Sequence, residues 1–168
     1  MKVIFLDCDG VLNSDQFFQG NDPTNQKDSQ TMKFGVGQLD PKGLALIDQI
    51  VNATGAKIVI CSSWRLIWPW HEIAEMFGDV GFKNQHEIFD ETPHSGKNAD
   101  TRGDEIRQWL ELDREREEVG EEITTSYVII DDNNEFDTEQ QQFYVQTNPR
   151  TGITQADVAK AIAILNRS

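Results

Sequence analysis

Hydrophobic residues enter this chain in two rhythms. Short continuous apolar runs occur in "KVIFL" at 2–6, "AKIVIC" at 56–61 and "SYVII" at 126–130. Runs of that kind, bounded by polar or turn residues, predict strands buried on both faces. Between them the apolar positions recur at helical spacing. "LDPKGLALIDQIVNATG" places Leu44, Ile47 and Val51 on one face, with Asp40 as N-cap, Pro41 at the first position and Gly55 past the end. Pro69 opens a second helix, in which Ile73, Met76 and Phe77 share a face and which stops near Gly78. Thr101 caps a third carrying Ile106, Trp109 and Leu110, and Thr154 caps a closing helix with Val158, Ile162 and Leu165. "EIF" at 87–89 and "FYVQT" at 143–147 predict weaker strands. Strands that alternate with helices predict an α/β fold with a parallel sheet covered on both faces.

Residues 14–38 break the rhythm: "SDQFFQGNDPTNQKDSQTMKFGVGQ" is polar, turn-rich and without a sustained period. A loop of that length in a compact domain reads as a lid or as an inert excursion, and composition leaves both open. No internal repeat and no low-complexity linker divides the chain, so residues 1–168 read as one domain with a possible flap at 14–38.

Composition then narrows the partners. With 168 residues, 38% of them hydrophobic, the chain can bury an ordinary core. Fifteen basic residues against 29 acidic ones leave a net charge of −14. Such a field repels phosphate backbones unless a local basic cleft or a bound cation overrides it, so non-specific nucleic-acid binding is not expected. Part of the excess lies in "ELDREREEVGEE", residues 111–122, which reads as a solvated helix end and loop. Cys8 and Cys61 each sit in an apolar run without a C-x-x-C partner, as buried thiols of a reducing compartment do. No run reaches membrane-spanning length. A cytoplasmic protein with no membrane association is the expectation. His71, His86 and His94 are scattered and have no partner at metal-ligand spacing.

The candidate chemistry lies where the strong strands end. In open parallel sheets, ligands bind beyond the carboxyl ends of the strands. Here the first strand runs into Asp7-Cys8-Asp9-Gly10, the second into Ser62-Ser63-Trp64-Arg65, and the third into Asp131-Asp132-Asn133. Carboxylates gathered in a partly desolvated crevice must hold protons or share a cation. Asp7 and Asp131 offer only oxygen, which suits a hard divalent ion such as Mg2+ and an anion that the ion brings in. A carboxylate can attack phosphorus once such a cation screens the mutual repulsion. A second carboxylate two residues on, where the chain leaves the strand at Gly10, can then serve as acid and base.

These motifs resemble those of the haloacid-dehalogenase-like (HAD) superfamily of phosphotransferases. "FLDCDGVLN", Ser62 after the second strand, a basic residue before a helix and "IIDDN" after a later strand stand in the family's order. The resemblance implies a doubly wound, Rossmann-like fold with a small cap or none. It implies that Asp7 is the nucleophile of an aspartyl-phosphate mechanism and Asp9 the general acid/base. Asp7, the Asp9 backbone carbonyl and Asp131 would hold Mg2+, with Asp132 nearby or ligating through water, and Ser62 would bond the transferring phosphoryl group. An aspartate at position 9 is the family's mark of a phosphatase. The family's third motif needs a lysine or arginine at this site, and Lys97 and Arg102 both qualify. Helix-start placement in "TRGDEI" favours Arg102.

"SSWR", "TRGDEIRQWL" and "VIIDDNNEF" further resemble the branch of the superfamily found in RNA-repair proteins, related to polynucleotide 3′-phosphatases. That implies a nucleotide, another small phosphate ester or a nucleic-acid 3′ end as substrate. Gly10, Ser63, Trp64, Arg65 and Lys97 are the expected substrate contacts, with Arg65 clamping a phosphate and Trp64, Trp68 or Trp70 stacking on a base. The competing reading of the tryptophans is packing of their segment onto the sheet. No G-x-x-x-x-G-K-[ST] loop marks an attached kinase. A catalytically silent binding domain of the same fold is the reading from another functional class.

Overall fold

The computed structural model describes residues 1–20, 36–93 and 101–167. The centre of the expected flap, 21–35, and both Lys97 and His94 lie outside the described residues. Five strands form one parallel sheet: β1 (Lys2–Leu6), β2 (Lys57–Ile60), β3 (Ile88–Glu91), β4 (Ser126–Asp131) and β5 (Tyr144–Gln146). Their spatial order is β3-β2-β1-β4-β5, so the connections run one way from β1 to β3 and then jump back across the sheet. The direction reverses between β1 and β4, which makes that boundary the switch point where α/β sheets bind ligands.

Each strong strand is apolar throughout because it is covered on both sides. Ile4, Leu6, Ile58, Ile60, Val128 and Ile130 point into one core. There they meet helices α2 (Pro41–Thr54), α3 (Trp70–Asp79) and α6 (Gln155–Leu165) through Leu44, Ile47, Ile73, Phe77, Val158 and Leu165. Val3, Phe5, Val59 and Ile129 point the other way, against Ile106 and Trp109 of α4 (Arg102–Glu111). Helices α2 and α3 share one face while α4, on the returning connection, takes the other, as right-handed crossovers require.

Local signals act as the sequence implies. Asp40 accepts the Lys42 N–H at 2.9 Å and Gly55 closes α2 at φ 66°, a left-handed conformation that suits glycine. Thr101 and Thr154 both form reciprocal capping boxes, with Asp104 and Asp157. Three local expectations need correcting. Residues 15–20, expected as loop, form a short helix α1 (Asp15–Gly20) that buries none of its side chains and so carries no apolar period. Part of 111–122 is a separate helix, α5 (Asp113–Glu118). The weak strands are displaced, because 3-10 turns at Gln85–Glu87 and Gln140–Phe143 absorb Glu87 and Phe143. Among the described residues, no helix is long and apolar enough to cross a membrane.

Candidate active site

Strands β1 and β4 are paired along their whole length, with Leu6 opposite Ile130. One residue further on, the Asp7 N–H still bonds the Ile130 carbonyl at 3.0 Å. The register therefore brings Asp7 and Asp131 to the same edge. Asp7 is 4% exposed and Asp131 fully buried. The Asn133 N–H holds Asp131 Oδ1 at 2.8 Å, which leaves Oδ2 turned into the crevice. Asp7, Asp131 and Asp132 each offer a carboxylate oxygen within 4.8 Å of the others.

Two of these oxygens, Asp7 Oδ1 and Asp131 Oδ2, are buried and accept no hydrogen bond among the described residues. Burial, and then the charge of Asp7, push the Asp131 carboxyl up to about 7. Asp132 is raised for the same two reasons. Orphaned carboxylate oxygens this close are costly unless a cation is shared between them. An all-oxygen set of three carboxylates fits Mg2+. Gly10 makes the close approach possible: at φ 70° it takes a left-handed turn, and a Cβ there would lie 2.4 Å from Asp132 Oδ2. The Asp9 side chain stands outside this carboxylate group.

Among the described residues, Arg102 brings a cation to this edge. Its Nη1 lies 2.9 Å from Asp7 Oδ1 and 3.1 Å from Asp131 Oδ2. One guanidinium thus faces two of the three clustered carboxylates and offsets part of their charge. Burial opposes the charge on Arg102, but Cys61, Asp7 and Asp131 outweigh it and hold the guanidinium protonated. Arg102 is the first residue of α4, and that helix end is docked through Gly103. The Gly103 N–H donates to Glu135 O at 3.2 Å, and Gln140 Nε2 donates to Gly103 O at 2.8 Å.

Asp9 is exposed but tethered. Trp64 Nε1 donates to both its oxygens, each at 3.1 Å, and Asn13 Nδ2 donates to Oδ1 at 2.8 Å. Ser62 is buried where β2 ends. Its Oγ accepts the Trp64 N–H at 3.3 Å and lies beside the Cys8 thiol. Ser63 is exposed next to it. Burial raises both thiols, and Cys8 and Cys61 belong to cores on opposite faces of the sheet.

Two expected substrate contacts have other partners. Arg65 does not present a free phosphate clamp. It is 6% exposed, and its Nε and Nη1 donate to the carbonyls of Thr92, Cys61 and Ser62. Its Nη2 pairs with Glu105 Oε2 at 2.6 Å. The 3-10 turn Ser63–Leu66 points the side chain inward, where unpaired carbonyls need donors. Nor can Trp64 stack on a base, because its ring is buried in the core and packed edge-on against Trp68 at 5.7 Å. Trp68 and Trp70 are partly buried against the same core. Asn13, Gly103, Glu105 and Gln140 join the site or its supports although the sequence assigns them no role. Asn13 closes "FLDCDGVLN" and Gly103 and Glu105 lie within "TRGDEIRQWL", whereas Gln140 carries no local signal.

Residues 3–158 match the family described as the HAD domain in Swiss Army Knife RNA repair proteins. Neither curated proteins nor solved structures show a significant match to this chain. The family match spans nearly the whole sequence and agrees with the parallel sheet, so the chain belongs to this HAD family of phosphatase-type hydrolases.

Proposed function

We propose that this HAD domain is a Mg2+-dependent phosphomonoester hydrolase that works through an aspartyl-phosphate on Asp7. The observation that carries this reading is the cluster of Asp7, Asp131 and Asp132, each with a carboxylate oxygen within 4.8 Å of the others, with Arg102 against two of them. Asp7, Asp131, Asp132 and the Asp9 backbone carbonyl would hold the ion. When bound, Mg2+ supplies the positive charge that lets an anionic carboxylate and an anionic phosphate approach.

The protein's own groups do the rest. The Asp7 carboxylate forms a bond to phosphorus as the bond from phosphorus to the leaving oxygen breaks, and Asp9 gives that oxygen its proton. Asp9, now a carboxylate, takes a proton from water as the water oxygen bonds to phosphorus. Inorganic phosphate departs and Asp7 is regenerated. Arg102 offsets the charge that builds on the phosphoryl oxygens. Ser62, whose oxygen accepts from Trp64 and which lies against the Cys8 thiol, would turn its O–H to the phosphoryl group. Gly10 and Ser63 border the substrate, and Lys97 is a further cation for it.

The substrate we favour is a nucleotide or other small phosphate ester. The RNA-repair family favours a second reading, a phosphorylated nucleic-acid 3′ end, which the net charge of −14 permits only as a chain end rather than a long duplex. The decisive experiment measures phosphate release from an aryl phosphate with Mg2+, with excess chelator and with Asp7→Asn. Turnover that needs metal and Asp7 supports hydrolysis, and none across a broad phosphate panel would make the domain a binding module. Comparing kcat/KM for 3′-phosphorylated oligonucleotides, mononucleotides and sugar phosphates then separates the two substrate readings.

A further inference from the structure

We infer that Trp64 is a positioning residue for Asp9, and that with Asn13 it holds the Asp9 carboxylate in one rotamer. The inference rests on the hydrolase reading above. Asp9 sits on a loop that has just left β1 and is the exposed carboxylate of the site. An unrestrained aspartate there would spread over several rotamers. Instead its carboxylate is gripped from two sides by residues that cannot easily move. Trp64 is 5% exposed, its ring is locked in the core, and its N–H edge reaches both Asp9 oxygens. Asn13 is 3% exposed, and while its Nδ2 donates to Asp9 Oδ1, its Oδ1 accepts the Gly10 N–H at 2.9 Å.

Both partners act on Asp9 as donors only. An indole nitrogen has no acceptor capacity, and Asn13 turns its Nδ2 to Asp9 while its Oδ1 faces the Gly10 N–H. Neither can take a proton from Asp9, so a proton on this carboxyl must point away from them. Oδ1 receives two donors and Oδ2 only one. The two donors together fix the carboxylate in one orientation. In phosphoryl transfer an Asp9 O–H bond breaks as the leaving oxygen gains that hydrogen, and the two electrons of the broken bond stay on Asp9. Water restores the proton in the second half-reaction.

An ester with a poor leaving group needs this proton, whereas one whose phenolate departs unaided does not. The test measures kcat/KM with Mg2+ for an alkyl phosphate and for dinitrophenyl phosphate, in wild type, Trp64→Phe and Asn13→Ala. We expect each variant to lose on the order of 10²-fold on the alkyl ester and less than about 5-fold on the dinitrophenyl ester. In Trp64→Phe the calorimetric Mg2+ affinity should stay at the wild-type value, because the indole touches no group proposed to hold the ion. Equal losses on both esters in the folded variants would overturn the inference and leave the hydrolase reading standing. No turnover of either ester by wild type would remove the hydrolase reading itself. If Trp64→Phe does not fold, the same two-ester comparison in Asn13→Ala decides between these outcomes.

Discussion

Arg65 and Glu105 form a buried ion pair, Nη2 to Oε2 at 2.6 Å, between the turn after β2 and the first half of α4. The turn carries Ser62 at its cap, and the helix carries Arg102 at its start. Removing the arginine would strand a buried carboxylate and three carbonyls. Arg65→Met should therefore cost about 3–5 kcal/mol of stability in denaturant unfolding. Arg65→Met combined with Glu105→Met should recover part of that loss, since apolar replacements of a buried pair are tolerated better than half of one.

Arg102 and Lys97 make opposite predictions. Arg102 lies against Asp7 and Asp131. Arg102→Ala should lower kcat by about 10²–10³-fold on an aryl phosphate, the effect of losing one charge aimed at a reacting centre. Lys97→Ala should leave that value nearly unchanged if Arg102 is the motif cation. A larger loss in Lys97→Ala would reverse the assignment.

Gly103 is where α4 meets the loop after β4. A Cβ there would lie 2.5 Å from Gln140 Oε1 and 3.0 Å from the Glu135 carbonyl. The carbonyl cannot swing aside, so the helix start must shift and carry Arg102 with it. Gly103→Ala should cost about 1–3 kcal/mol by overpacking. Its kcat should fall even where the protein is fully folded, which steady-state kinetics below the unfolding transition will read.

The metal-free protein should be less stable at neutral pH than in mild acid through Asp131. Its folded carboxyl is pushed up to about 7 by burial and by Asp7, whereas an unfolded aspartate titrates near about 3.9. Between those values the folded state binds the extra proton. Stability is therefore lost as pH rises through that window, and the penalty is complete above the upper value. Asp131→Asn should flatten this slope. Mg2+ should raise Tm more on the alkaline side of the window than on the acid side, as thermal unfolding with and without chelator will show.

Much of this was legible in the chain because it is locally encoded. An apolar run long enough to cross the sheet predicts a strand, and the residues just past it must emerge at the carboxyl edge. That places Asp7, Ser62 and Asp131 from pattern alone, and the parallel register adds that Asp7 and Asp131 face one another. The caps at Asp40, Thr101 and Thr154 are equally local, and the Thr101 cap is what sets Arg102 at a helix start.

Side-chain direction is a different matter. In "SSWR" the arginine and tryptophan read as substrate groups, yet both turn inward. Asp9 and Trp64 are 55 positions apart, and Arg65 meets Glu105 across three elements. A long side chain goes where its donors find acceptors and its apolar stem finds cover, and that depends on neighbours brought in by packing. The sequence by itself determined the strands, the helix ends and the edge where the acids gather, since those follow from backbone propensity and burial period. Only the tertiary structure decided which of the polar groups at that edge are left open to a ligand and which are consumed in holding the edge together.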